Sequence, residues 1–245
     1  MKPALQEEYR DSEHWFFRAR RRIFACVLDE LVSLPSGARV VDLGPGSGVN
    51  VPVLRGRGRL TVVDVSTRSL MDCAARGAHE LVLGDATRPP FASGSIDLVC
   101  AFDVLEHLPE DGLALREVRR VLKPGGCLAL SVPAWRILWG RQDVLSEHLR
   151  RYGKASLGAL LEQSGFQVER LTFFNCLLFP PILVMRLLMR PFLRWSAGGG
   201  SDFSTPTPFG LDRLLYRLFA AEARWLARRD LPLGVSLLAI ARPLP

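Results

Sequence analysis

Cysteine, histidine, tyrosine and methionine are all scarce, and the shortages close off several classes of function. The 245-residue chain has five cysteines, four histidines, three tyrosines and four methionines. The cysteines stand singly at Cys26, Cys73, Cys100, Cys127 and Cys176, with no C-x-x-C pair. Cys26, Cys100 and Cys127 lie in apolar stretches, so buried, reduced thiols are expected rather than a disulfide framework, as suits a cytoplasmic chain. His14, His79, His107 and His148 show no ligand spacing, and no metal site is expected. The mixed-charge N-terminus lacks the apolar stretch of a signal peptide. No uninterrupted apolar run reaches the roughly 20 residues that a membrane span needs. The Gly-x-Gly-x-x-Gly fingerprint of dinucleotide-binding folds is missing, and so is any motif for reading nucleic acid.

What is present describes a globular α/β chain. With 48% hydrophobic residues it can build a full core, at the upper end of one domain. The formal charge is +7, which means either a solvated basic surface or attraction to an anionic membrane or substrate. Residues 13–34 have helical periodicity through Trp15, Ile23, Val27 and Leu31, within an N-terminal helical region spanning 1–36. Five apolar runs follow, at Arg39–Leu43, Leu60–Val65, Glu80–Leu83, Ile96–Ala101 and Gly126–Val132, each bounded by turn residues. Strands alternating with helical stretches predict right-handed βαβ units and a doubly wound sheet. A helix over Ala155–Ser164, closed by Gly165, and a sixth strand over Phe166–Phe174 complete a core of residues 37–174. A last strand over Val235–Arg242 falls in the terminal segment 234–245.

Between the sixth and seventh strands lies an insertion, about 175–233. Its first piece, Cys176–Met185, is strongly apolar but broken by Pro180-Pro181. Its second, Ser196–Pro208, reads as a flexible loop. Its third, Leu211–Arg229, reads as an amphipathic helix with Leu214, Leu215, Leu218, Phe219 and Trp225 on one side. Three readings of the insertion stand open: a helical lid, a dimer contact, or a peripheral membrane contact through 176–194 at the inner face of the membrane, with Arg186, Arg190 and Arg194 near headgroups.

The chemistry is concentrated in Val40-Val41-Asp42-Leu43-Gly44-Pro45-Gly46-Ser47-Gly48. A buried strand ends in a glycine turn, where the backbone can approach a ligand closely. Asp42 stands two residues before the first glycine. A carboxylate there repels a pyrophosphate but suits a cationic ligand, which disfavours a dehydrogenase. Asp64, at the tip of the second strand, can accept both hydroxyl hydrogens of a ribose, while Ser66 suffices as the cap of the next helix. Asp85, in Gly84-Asp85-Ala86, can accept from an exocyclic amine or simply close an Asx-turn.

Taken in order, these residues resemble the class I S-adenosylmethionine-dependent methyltransferase superfamily, and more closely its small-molecule branch. The resemblance runs through Phe91–Val99, Asp103-Val104-Leu105-Glu106-His107-Leu108 and Lys123-Pro124-Gly125-Gly126, covering about Arg39–Phe174. It implies a seven-stranded Rossmann-like sheet of order 3-2-1-4-5-7-6 with strand 7 antiparallel, and S-adenosylmethionine as cofactor. It implies that Asp42, Gly44, Pro45, Gly46 and Gly48 hold the methionine part, Asp64 and Val65 the ribose, and Asp85 and Ala86 the adenine, with Phe102 on the same edge. His14–Arg22 and Glu147–Tyr152 also resemble segments of a bacterial subgroup. His107 is the candidate base, unless it only caps the next helix, and Asp103 a candidate contact to substrate or cofactor. His148 and Tyr152 are candidate substrate residues, or else helix-start packing. The expected acceptor is a small, hydrophobic or lipid-linked molecule methylated on oxygen or carbon. A cofactor-binding protein without turnover remains the alternative.

Overall fold

The computed structural model describes residues 13–189, 210–226 and 228–244. Arg190, Arg194 and the loop 196–208 lie outside the described residues. Seven strands form one sheet: β1 (Arg39–Leu43), β2 (Arg59–Asp64), β3 (Glu80–Leu83), β4 (Ile96–Phe102), β5 (Leu122–Pro133), β6 (Phe166–Phe174) and β7 (Ser236–Pro243). Their order is 3-2-1-4-5-7-6. The first five are parallel, and β7 runs antiparallel to both β5 and β6. This is the expected Rossmann-like architecture.

Side-chain alternation divides the central strands between two cores. Val40 of β1 joins Leu98 and Cys100 on one face, while Val41 and Leu43 join Val99 and Ala101 on the other. The first face is covered by α1 (Trp15–Leu31), which inserts Ile23, Phe24, Val27 and Leu28. Also on that side are α2 (Val51–Leu54) and α3 (Thr67–Ala75). The second face is covered by α4 (Asp111–Val121), with Leu115 and Val118 inward. A short α5 (Arg141–Leu145) follows β5, and α6 (Lys154–Gln163) adds Leu157 and Leu161 to the second core. Gly165 follows α6 at φ +83°, the left-handed end that its position predicts.

The insertion differs from its sequence reading in two places. Pro180-Pro181 does not interrupt a helix but begins one, α7 (Phe179–Met189). Proline is tolerated in a first turn, where its missing N–H has no partner to lose. The stretch expected as one helix over Leu211–Arg229 is instead α8 (Leu211–Ala221) and α9 (Ala223–Leu226). Between them Glu222 is fully buried and accepts from the Leu177 backbone N–H at 2.8 Å. That bond ties the end of α8 to the start of the insertion, at the residue where the two helices part. Phe219 is buried against Phe16 and Phe174, but Leu214 and Trp225 are exposed, so the apolar side is only partly covered. No helix among the described residues is long and apolar enough to cross a membrane.

Candidate active site

The turn after β1 shows why three glycines recur there. Gly44, Gly46 and Gly48 all sit at positive φ, between +56° and +73°, where a Cβ is strained. Their surroundings differ. A Cβ on Gly44 would lie 2.9 Å from Val104, and one on Gly48 would lie 2.9 Å from the Cys73 sulfur. Both glycines therefore let the turn pack tightly against protein. A Cβ on Gly46 would meet nothing within 4 Å, so this glycine presents bare backbone to open space. Pro45, between the first two, is buried.

Asp42 lies beneath this bend, fully buried, with Oδ2 lacking any hydrogen-bond partner. Burial, and then the charge of Asp64, push its pKa up to about 8. A carboxyl so placed is kept neutral until a cation arrives to restore its charge. Asp64 sits at the tip of β2. Its Oδ2 accepts from the Gly46 N–H at 3.3 Å, and its Oδ1 from the Ser66 N–H at 2.8 Å. Burial raises its pKa as well, against those hydrogen bonds. Ser66 caps α3 by accepting from Ser69, which leaves the cap role to Ser66 as anticipated. Val65, beside Asp64, is 74% exposed, an apolar side chain held in the open at the same edge. Asp85 is exposed and accepts from the Thr87 N–H at 2.7 Å, so it does form the Asx-turn that was its alternative reading. Ala86 packs partly against the second core.

The end of β4 carries a polar group that sequence reasoning missed. Arg20 of α1 is 7% exposed and forms a close ion pair with Asp103. It also donates to Ser131 Oγ at 3.1 Å, while Ser131 donates to the other Asp103 oxygen at 3.0 Å. The guanidinium lies about 5 Å from the centroids of Phe16, Phe24 and Phe174. Such a cage favours arginine over lysine, because the planar cation both stacks and forks. Phe102 stacks on Phe24 at 4.1 Å, the rings nearly parallel. Asp103 itself has φ +58°, and Trp135, Glu147 and Asn175 are similarly strained. Three of these four, Asp103, Trp135 and Asn175, follow the C-terminal ends of β4, β5 and β6, the edge at which α/β sheets place ligands. The signal for Arg20 was the basic run Arg18–Arg22, but the run does not reveal which arginine turns inward.

The other candidates are drawn into a second network. His107 ends the short helical turn Leu105–His107, where burial and the neighbouring His148 pull its pKa down to about 4. Its imidazole is therefore neutral and weakly basic at neutral pH, a poor match to the base role expected of it. His148 Nδ1 lies 2.9 Å from Asp143 Oδ1, and its ring stands edge-on to His107, 4.8 Å between centroids. Tyr152 is buried, and its hydroxyl donates to Asp111 at 2.8 Å. Asp111 also accepts from Arg150 at 2.8 Å. Tyr152 thus braces the start of α4, the packing role that stood against its substrate role.

Comparison with known proteins agrees with this geometry. Residues 41–130 match the family model described as a methyltransferase domain. A "probable S-adenosylmethionine-dependent methyltransferase" of Mycolicibacterium smegmatis is 31% identical over 172 residues, 68% of this chain and 63% of the relative. A ubiquinone/menaquinone biosynthesis C-methyltransferase of Rubrivivax gelatinosus is 39% identical over 106 residues, covering 41% of this chain and 42% of the relative. The chain therefore spans less than two thirds of either relative's length. In fold it is similar to a candidate methyltransferase of Bacillus halodurans, with a TM-score of 0.61 at 22% identity over 90% of this chain and 99% of that one. The glycine bend, the two acids beside it, the strand order and these relatives agree: the chain is similar to S-adenosylmethionine-dependent methyltransferases, and its residues 41–130 match their methyltransferase domain.

Proposed function

We propose that this chain transfers a methyl group in line from S-adenosylmethionine to oxygen or carbon of a small, hydrophobic or lipid-linked acceptor. The observation that carries the proposal is the buried, unpartnered carboxyl of Asp42 beneath the open backbone at Gly46. An orphaned buried acid beside a bare glycine fits a ligand that brings positive charge and needs close approach. The bound cofactor supplies an activated methyl on a sulfonium. Asp42 offers a counter-charge for the cationic methionine part, and Asp64 offers two acceptor oxygens for the ribose. Val65 offers an apolar contact, and Asp85 with Ala86 closes the adenine end. The Arg20–Asp103–Ser131 group fixes the end of β4, where alignment of the acceptor matters most. An acceptor whose nucleophile is carbon, or an oxygen already ionised, suits a site whose candidate base, His107, is weakly basic.

The acceptor class rests on the insertion. Leu177, Val184, Leu187 and Leu188 in and before α7, with Leu214 and Trp225 of α8 and α9, are exposed apolar side chains. Large apolar side chains left in the open along one insertion suit contact with an apolar ligand or surface. The relative from Rubrivivax gelatinosus takes its name from quinone biosynthesis, which supports an apolar acceptor. Transfer of labelled methyl from S-adenosylmethionine into a lipid extract tests the whole reading. Label in the organic phase is expected; transfer only into water-soluble acceptors would refute the apolar class. Co-sedimentation with anionic vesicles at low salt tests the peripheral contact, which is dropped if the chain stays in the supernatant.

A further inference from the structure

We infer that Glu106, His107 and His148 form a binding site for a divalent transition-metal ion, with Asp143 behind it orienting one ligand. The site goes beyond the cofactor reading and uses none of the residues assigned to the cofactor.

The three side chains reach one point from two separate segments. Glu106 and His107 lie on the turn after β4, and His148 lies in the loop before α6. One donor atom of each lies within 4.8 Å of the others. Glu106 Oε1 is 3.9 Å from His148 Nε2, too long for a hydrogen bond, and suited to a bridging atom. Glu106 is fully buried, and neither carboxyl oxygen has a partner beyond its own backbone N–H. A buried carboxyl left in that state costs free energy unless something not belonging to the chain satisfies it.

The second observation concerns the histidine. His148 Nδ1 is engaged by Asp143 Oδ1 at 2.9 Å. With Nδ1–H donating there, Nε2 carries the lone pair, and it is this atom that lies 3.9 Å from Glu106 Oε1. A carboxylate behind a histidine is the usual support of a metal ligand, fixing tautomer and ring. Asp143 is itself fixed: Arg151 Nε donates to it at 2.7 Å and the Gly140 N–H at 2.7 Å. The local backbone is strained to deliver this ring, since Glu147 just before it has φ +58°.

Two imidazoles and one carboxylate select zinc, cobalt or ferrous iron over magnesium and calcium, which prefer all-oxygen shells. Three protein donors leave a fourth position for water or for an oxygen of a ligand. Spacing along the chain gave no hint of this, because the fold, not a motif, joins His107 to His148.

Cobalt titration of the untagged, chelator-treated full chain at neutral pH tests the site, read by visible ligand-field absorption. Saturation at one Co2+ per chain is expected, with Zn2+ displacing it at one equivalent. Glu106→Gln and His148→Gln should each weaken Co2+ binding tenfold or more. Asp143→Asn should weaken it 10- to 100-fold. Thermal melts of the variants establish that they are folded. Absence of a saturable cobalt spectrum in the wild-type chain would overturn the proposal, and so would full Co2+ binding by a folded Glu106→Gln, His148→Gln double variant.

Discussion

Replacing Asp42 by asparagine should stabilise the protein while disabling its cofactor site. The carboxyl ionises at 3.8 in an ordinary setting and at about 8 in the fold. The folded state therefore holds the proton more tightly than the unfolded state does. Stability from this group is fully present below about pH 4 and is lost as pH rises towards 8. The loss runs at about 1.4 kcal/mol per pH unit for one proton. By pH 7 some three units have been crossed, which amounts to about 4 kcal/mol, a large share of a typical folding free energy. The asparagine amide keeps the shape of the protonated acid and does not titrate. Urea denaturation of both proteins without cofactor, at pH 5, 6, 7 and 8, measures the difference. Asp42→Asn is expected to be more stable at every pH, by a margin that widens with pH and levels off above 8. At pH 7 the margin corresponds to a rise in melting temperature on the order of 10 °C. Parallel stability curves, or a variant less stable than wild type at pH 8, would refute the reasoning.

Other perturbations separate folding from binding. Asp64→Ala should lower S-adenosylmethionine affinity by 10- to 100-fold, the loss of one or two hydrogen bonds to a charged acceptor, measured by calorimetric titration. Gly48→Ala should destabilise the fold by several kcal/mol, because its Cβ meets Cys73. Gly46→Ala, with open space around its Cβ, should cost only about 1–2 kcal/mol of backbone strain yet still block the cofactor; equal melting temperatures for these two variants would contradict the division. Arg20→Leu leaves the part-exposed Asp103 with Ser131 alone and should cost about 1–3 kcal/mol, with Arg20→Lys failing to restore it fully; chemical denaturation decides both.

The sheet and the cofactor turn were legible in the chain because they depend on local chemistry. Apolar runs bounded by turn residues marked the strands. The glycines at 44, 46 and 48 marked a turn of close backbone approach, and Asp42 and Asp64 stood at strand tips where ligands bind. The reversed placement of β7 came from family resemblance rather than from periodicity. Features set by tertiary packing were hidden. Nothing in Arg18–Arg22 distinguishes Arg20, whose burial depends on Phe174 and Asp103 from distant segments as well as on Phe16 and Phe24 of its own helix. His107 looked available as a base until the fold buried it against His148. The break at Glu222 was invisible because its partner is a backbone N–H far away in sequence. Pro180-Pro181 was misjudged because a proline pair stops a helix from inside but starts one from its first turn.

The most direct test of the cofactor site is calorimetric titration of S-adenosylmethionine at pH 7 in two buffers of different ionisation enthalpy. A carboxyl with pKa about 8 is mostly protonated at that pH and must lose its proton to meet a cation. Binding should release close to one proton in the wild-type chain and none in Asp42→Asn. Tight binding with no proton released would mean that Asp42 does not receive the cationic part of the cofactor.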